Sequence, residues 1–144
     1  MPSISRPASL AVTSITAAFI GLVSLFFIGC NGPSNSVPPA NIPADAIQQV
    51  VGSADNESLV LVKFGAPWCG PCRQVDKEIA SLASTLPKDV HVVTVDVDER
   101  PEVAAKFGIQ GIPRMFLVRN GEVLADEVGY RSESELRNWV ASYQ

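Results

Sequence analysis

Cys69 and Cys72 are separated by Gly70 and Pro71 and preceded by Trp68. Two thiols at this spacing can close into a disulfide and reopen. Attack on a disulfide requires a thiolate, and a free cysteine is mostly protonated at neutral pH. A helix start eases the ionisation, because its unpaired N–H groups and macrodipole favour negative charge. The pair lies between an apolar run, residues 59–64, and a helix-patterned run, residues 73–86. Cys69 therefore falls at a helix start. Cys72 follows one turn further in, close enough to attack a mixed disulfide formed on Cys69. The expected chemistry is thiol–disulfide exchange, with the Cys69–Cys72 pair itself as redox group and no bound cofactor.

Zinc is the rival chemistry for two cysteines so spaced. A structural zinc site takes four ligands. Beyond the pair the domain offers only His91, inside a strand-like run, so no metal is expected. His91 reads as a strand-edge or surface residue. The acidic run at residues 96–99 reads as a solvated turn with charges suited to a helix N-terminus. There is no glycine-rich phosphate loop and no dinucleotide motif, so electrons must arrive by thiol exchange.

The chain has 144 residues, a net charge of −4 and three cysteines. The charge and the absence of any Lys/Arg cluster argue against nucleic acid as a partner. An odd cysteine count suggests one pair, plus one cysteine, Cys30, with another purpose. Residues 10–29 are apolar or small and uncharged, after a start that carries Arg6. This has the shape of a secretory signal, and at about 20 residues it is also long enough to span a bilayer. Phe27-Ile28-Gly29-Cys30 resembles the bacterial lipobox, in which the cysteine is lipidated and becomes the new N-terminus. The two readings, lipoprotein signal and uncleaved anchor, both place the remainder in the cell envelope, on the outer side of the cytoplasmic membrane. Residues 30–43, rich in Asn, Gly, Pro and Ser, read as a flexible tether. Residues 44–144 read as one domain.

Within that domain the pattern alternates. Residues 44–54 place Ala46, Ile47, Val50 and Val51 on one helical face. Residues 59–64 form a short, nearly unbroken apolar run, suited to a central strand covered on both faces. Val75, Ile79, Leu82, Ala83 and Leu86 recur at helical steps, with Pro71 in the first turn and Pro87 at the end. Residues 90–95 form a second strand, expected parallel to the first, and Pro101 opens a short helix stopped by Gly108. Asn120-Gly121 joins two strand-like runs as a tight hairpin. Ser132 and Glu135 form a capping box before a closing helix lined by Leu136, Trp139, Val140 and Tyr143.

Trp68-Cys69-Gly70-Pro71-Cys72, Gly111-Ile112-Pro113, Arg119-Asn120-Gly121-Glu122 and Val128-Gly129 follow one another in the order and spacing of the thioredoxins. Over residues 44–144 the chain resembles that family. The resemblance implies an α/β fold with a central mixed sheet of four to five strands flanked by helices. It implies Cys69 as nucleophile, Cys72 as resolving cysteine, and a cis peptide bond before Pro113 facing the pair. It further implies that Trp68, Ile112, Pro113 and Gly129 receive an extended substrate peptide. The implied partners are proteins carrying disulfides or dithiols, met by a monomer. Gly70-Pro71 is the dipeptide of reducing thioredoxins, so a reductant is expected, recharged in the envelope by a membrane electron-donor protein. A peptide-binding or chaperone-like module with secondary redox activity is the alternative.

The chain departs from the family pattern at three positions. Lys63 stands where thioredoxins commonly carry a buried Asp, Gly65 replaces a usual Trp, and Lys77 replaces a helix-kinking proline. A first strand is hard to find; residues 36–42 would make a poor one. Lys63 has two readings. Its stem could pack inside while the ammonium snorkels to water. Alternatively the charge sits beneath the cysteines, where it would stabilise a thiolate, or, if kept neutral, accept a proton from Cys72.

Overall fold

The computed structural model describes residues 41–52 and 57–144. The expected leader, residues 1–29, and most of the tether lie outside them. So does the weak strand weighed at residues 36–42, except for Asn41 and Ile42, which are not in a strand.

The strand β1 (Leu59–Gly65) is buried at all seven positions. The reason is its place. β2 (Val90–Asp96) pairs with it in parallel on one side, and β3 (Arg114–Arg119) antiparallel on the other. β4 (Glu122–Val128) completes the order β2-β1-β3-β4 among the described residues. Helices cover both faces, so the side chains of β1 alternate between two cores. Val60, Val62 and Phe64 join α1 (Ala44–Val51) and α3 (Pro101–Lys106) in one core. Leu59 and Leu61 join α2 (Gly70–Ala83) and α4 (Glu133–Ala141) in the other. Burying each such side chain is worth about 1.5–3 kcal/mol. Phe64, Phe107 and Phe116 meet in the first core with ring centroids 4.8–5.7 Å apart.

Period-two alternation also fixes the fate of Lys63. It follows Leu59 and Leu61 on the face of the sheet that carries α2, and it is 2% exposed. The other buried charges sit at the far side of the sheet. Asp126 pairs with Arg114, whose guanidinium lies 5.4 Å from the Phe116 ring centre, and Glu127 pairs with Arg131.

Several boundaries differ from the periodic reading. α1 ends at Val51, because Gly52 turns to φ 61° and its N–H returns to the Gln48 carbonyl. α2 ends at Ala83 and does not reach Leu86. The N–H groups of Thr85 and Leu86 both bond the Leu82 carbonyl, joined there by the Thr85 hydroxyl, and the Ser84 hydroxyl takes the Ser81 carbonyl. These side chains compete for the carbonyls that a continuing helix would use. Leu86 still packs against the second core from beyond the helix. β3 starts one residue early, at Arg114. The hairpin forms at Asn120 (φ 55°) and Gly121 (φ 72°), with a bulge between Leu117 and Val118. His91 is exposed on β2, an edge strand.

Candidate active site

The chain leaves β1 at Gly65 and turns through Ala66 and Pro67. The Cys69 N–H donates to the Ala66 carbonyl at 3.1 Å, which closes the turn. Cys69 is then the N-cap of α2: its Sγ accepts the Cys72 backbone N–H at 3.2 Å. Pro71 lies in the first turn, where a missing N–H leaves no helix bond unmade. The two sulfurs are joined at 2.05 Å, with Cα atoms 5.2 Å apart. The sulfur of Cys69 is thus held where helix N–H groups converge, and negative charge developing on it during exchange is favoured.

The opposite wall comes from a remote segment. The Ile112–Pro113 bond is cis, as the resemblance implies. The Ile112 carbonyl oxygen lies 4.0 Å from Cys69 Sγ. Sγ has no proton in the disulfide, so this is a packing contact. The Pro113 carbonyl accepts the Gly129 N–H at 2.8 Å, which ties the end of β4 to the same wall. Ala66, Cys69 and Cys72 form a small apolar cluster with Val97 and Ile112 against it. Cys69 retains 5% exposure and Cys72 none.

Trp68 is 67% exposed, and its indole N–H donates to Asp98 at 2.7 Å. Asp98 is itself placed by its own N–H, which bonds the Asp96 carboxylate at 2.9 Å. The indole therefore stands as a fixed apolar plate beside the disulfide. Val128 and Tyr130, on either side of Gly129, are the other large exposed apolar residues among those described. Every expected site residue of the domain falls in this region: Trp68, Cys69, Gly70, Pro71 and Cys72 on one wall, Ile112, Pro113 and Gly129 on the other, and Lys63 beneath. Cys30 lies outside the described residues.

The model of the Thioredoxin family matches residues 42–142. The chain belongs to the thioredoxin family. Among its relatives, the thioredoxin of Bacillus subtilis is 34% identical over 95 residues, covering 66% of this chain and 91% of that protein. The thioredoxin of Listeria monocytogenes is 38% identical over 88 residues, covering 61% and 85%. Among solved structures, a point mutant of a thioredoxin from Halobacterium salinarum superposes with a TM-score of 0.57 at 34% identity, over 61% of this chain and 76% of that one. With the thioredoxin fold, the relatives and the Cys69–Cys72 disulfide in hand, the chain is a protein-disulfide oxidoreductase.

Beneath the disulfide, Lys63 and Gly65 are coupled. The Lys63 ammonium does not snorkel to open water: it ends on the Asp76 carboxylate at 2.7 Å. A Cβ at position 65 would stand 2.5 Å from that nitrogen, so the lysine occupies the space left by the missing side chain. Two polar partners escaped the sequence reading. Asp76 carries a usable signal, since it lies four residues after Cys72 and so shares a helix face with it. Asp98 sits in the acidic turn, where nothing local marks it as the partner of Trp68.

Proposed function

We propose that this chain is a reductant of disulfides in cell-envelope proteins, with Cys69 as nucleophile and Cys72 as resolving cysteine. The reading rests on one observation above all: Cys69 Sγ caps α2 beside the open ridge of Trp68, whereas Cys72 is sealed behind it. In the reduced protein the Cys69 thiolate attacks one sulfur of a substrate disulfide. That bond breaks, and the substrate's other sulfur leaves with the electron pair and takes up a proton. Cys72 then loses its proton and attacks Cys69 Sγ. The bond from Cys69 to the substrate breaks, the second substrate sulfur leaves and is protonated, and the protein ends as the Cys69–Cys72 disulfide. Two electrons have passed to the substrate. The backbone of Ile112 and the apolar plate of Trp68 would align the substrate peptide as a short added strand.

The compartment rests on the leader and Cys30. In this reading a lipid on Cys30, or the leader as a helix, holds the domain outside the cytoplasmic membrane, and a membrane electron-donor protein restores the dithiol. Reduction of insulin by the wild-type chain and by Cys69→Ser tests the chemistry. Activity in the wild type and none in the variant is expected. Equal activities, or none in the wild type, would leave a peptide-binding module as the reading. Mass spectrometry of the mature N-terminus tests the anchor: a diacylated Cys30 is expected, and an unmodified Met1 would point to the uncleaved helix.

A further inference from the structure

Cys72 has no exposed surface, yet each half of its chemistry moves a proton. The structure places a charged device directly behind it. Lys63, 3% exposed along its side chain, holds Asp76, which is 47% exposed. Asp76 and Cys72 stand one turn apart on the same face of α2. The point where a Cβ on Gly65 would lie is 2.5 Å from Lys63 Nζ and 3.3 Å from Cys72 Cβ. The ammonium nitrogen is therefore less than about 6 Å from Cys72 Cβ, and its charge acts on the sulfur beyond that atom through a buried, weakly screened space. A cavity of about 160 Å³ opens beside the Lys63–Asp76 pair, lined in part by Lys63, Gly65, Asp76, Thr94 and Asp96 but not by Cys72 itself. At about 30 Å³ per molecule it has room for several waters, among polar groups able to hold them.

We propose that the Lys63–Asp76 pair sets the ionisation of the resolving cysteine. The inference rests on the reading of Cys69–Cys72 as a working redox pair. The ammonium stabilises the Cys72 thiolate. Asp76 damps that charge and holds the ammonium in place. In a mixed disulfide, Cys72 gives up its S–H proton to water and the Cys72–Cys69 bond forms. The bond from Cys69 to the substrate breaks, and the departing sulfur keeps its electron pair and is protonated from solvent. The charges facing this region are Lys63 from β1, Asp76 from α2 and Asp96 from β2. Asp98 is engaged with Trp68, Arg73 bonds the Pro67 carbonyl, and the Val97 and Ile112 side brings no charge. Lys63 and Asp76 touch neither substrate nor the exchanging bond; they are positioning residues.

The pair makes a signed prediction that a purely structural role does not. In the full chain carrying Cys30→Ser and Cys69→Ser, Cys72 is the one remaining thiol. Its ionisation is followed by the ultraviolet absorbance of the thiolate. Adding Lys63→Met moves the titration up by about one pH unit, roughly tenfold less thiolate at neutral pH. Adding Asp76→Asn leaves the lysine undamped and moves it down by a similar amount. Gly65→Ala keeps the lysine but takes its seat, and moves the titration the same way as Lys63→Met. With both active-site cysteines present, the reduction potential follows: more reducing for Lys63→Met, more oxidising for Asp76→Asn. If Lys63→Met does not fold, the opposite shifts of Asp76→Asn and Gly65→Ala carry the same test. Unchanged titrations, or shifts of one sign for Lys63→Met and Asp76→Asn, overturn the proposal. A wild-type chain that cannot be cycled in a glutathione buffer overturns instead the redox reading beneath it.

Discussion

Gly65 and Lys63 stand two positions apart on β1, so their side-chain positions share one face of the sheet. A larger residue at 65 would evict the ammonium, and the two departures from the thioredoxin pattern are therefore one structural change. A comparable dependence of one residue on another is seen at Tyr130. Its hydroxyl donates to Glu78 at 3.0 Å, and this bond, with some desolvation and the nearby charge of Glu78, raises its pKa above the ordinary 10.0. The neutral phenol is the form that bonds. The stabilisation is thus complete below the ordinary tyrosine value and is lost as pH rises through the raised one. Subtracting the phenolate titration of Tyr130→Phe from that of the wild type isolates Tyr130. Its curve is expected above the ordinary value, and Glu78→Gln is expected to return it toward that value.

Two helices of this chain, α2 and α4, begin on side-chain bonds to the backbone. α4 starts with a reciprocal capping box, in which Ser132 Oγ accepts the Glu135 N–H and Glu135 Oε2 accepts the Ser132 N–H at 2.8 Å. Ser132→Ala is expected to destabilise the domain by about 1 kcal/mol in urea unfolding. The hydrogen bonds from Ser132 lower the pKa of Glu135 below 4.5. A lowered carboxylate contributes stability above its unfolded value and loses it as pH falls through the folded one. The stability gap between wild type and Glu135→Gln is therefore expected to shrink as the unfolding series is taken from neutral pH to below the ordinary glutamate range. At α2 the same kind of bonding does chemical work at one end, where Cys69 is the cap, and termination at the other, where Ser84 and Thr85 draw off carbonyls.

For the whole domain, the decisive feature is that one strand serves two cores. β1 sends alternate side chains to each, so loosening either core loosens the strand shared with the other. Phe107→Ala opens the first core and is expected to remove about 3–5 kcal/mol; Leu82→Ala opens the second and removes about 2–5 kcal/mol. Trp139 packs against the second core. If the domain is one cooperative unit, tryptophan fluorescence and far-ultraviolet circular dichroism will give the same urea midpoint in both variants. Separate midpoints in Phe107→Ala would show that the faces unfold independently.

What could be read from the residues alone was what neighbours along the chain decide. The buried run of β1, the positive-φ hairpin at Asn120-Gly121, the capping box and the cysteine pair at a helix start are local, since each follows from backbone conformations a few residues long. The resemblance to thioredoxins carried the cis bond at Pro113, which no local pattern demands. The tertiary structure alone decided the pairings across long separations. Trp68 meets Asp98 thirty residues away, and Ile112 is brought over Cys69 from forty-three residues away. Lys63 left two readings open in the sequence, because a lysine stem serves equally for snorkelling and for a buried pair. Its choice depended on which residue of α2 packed above β1, and that was settled only when helix and sheet met and left Asp76 as the nearest countercharge.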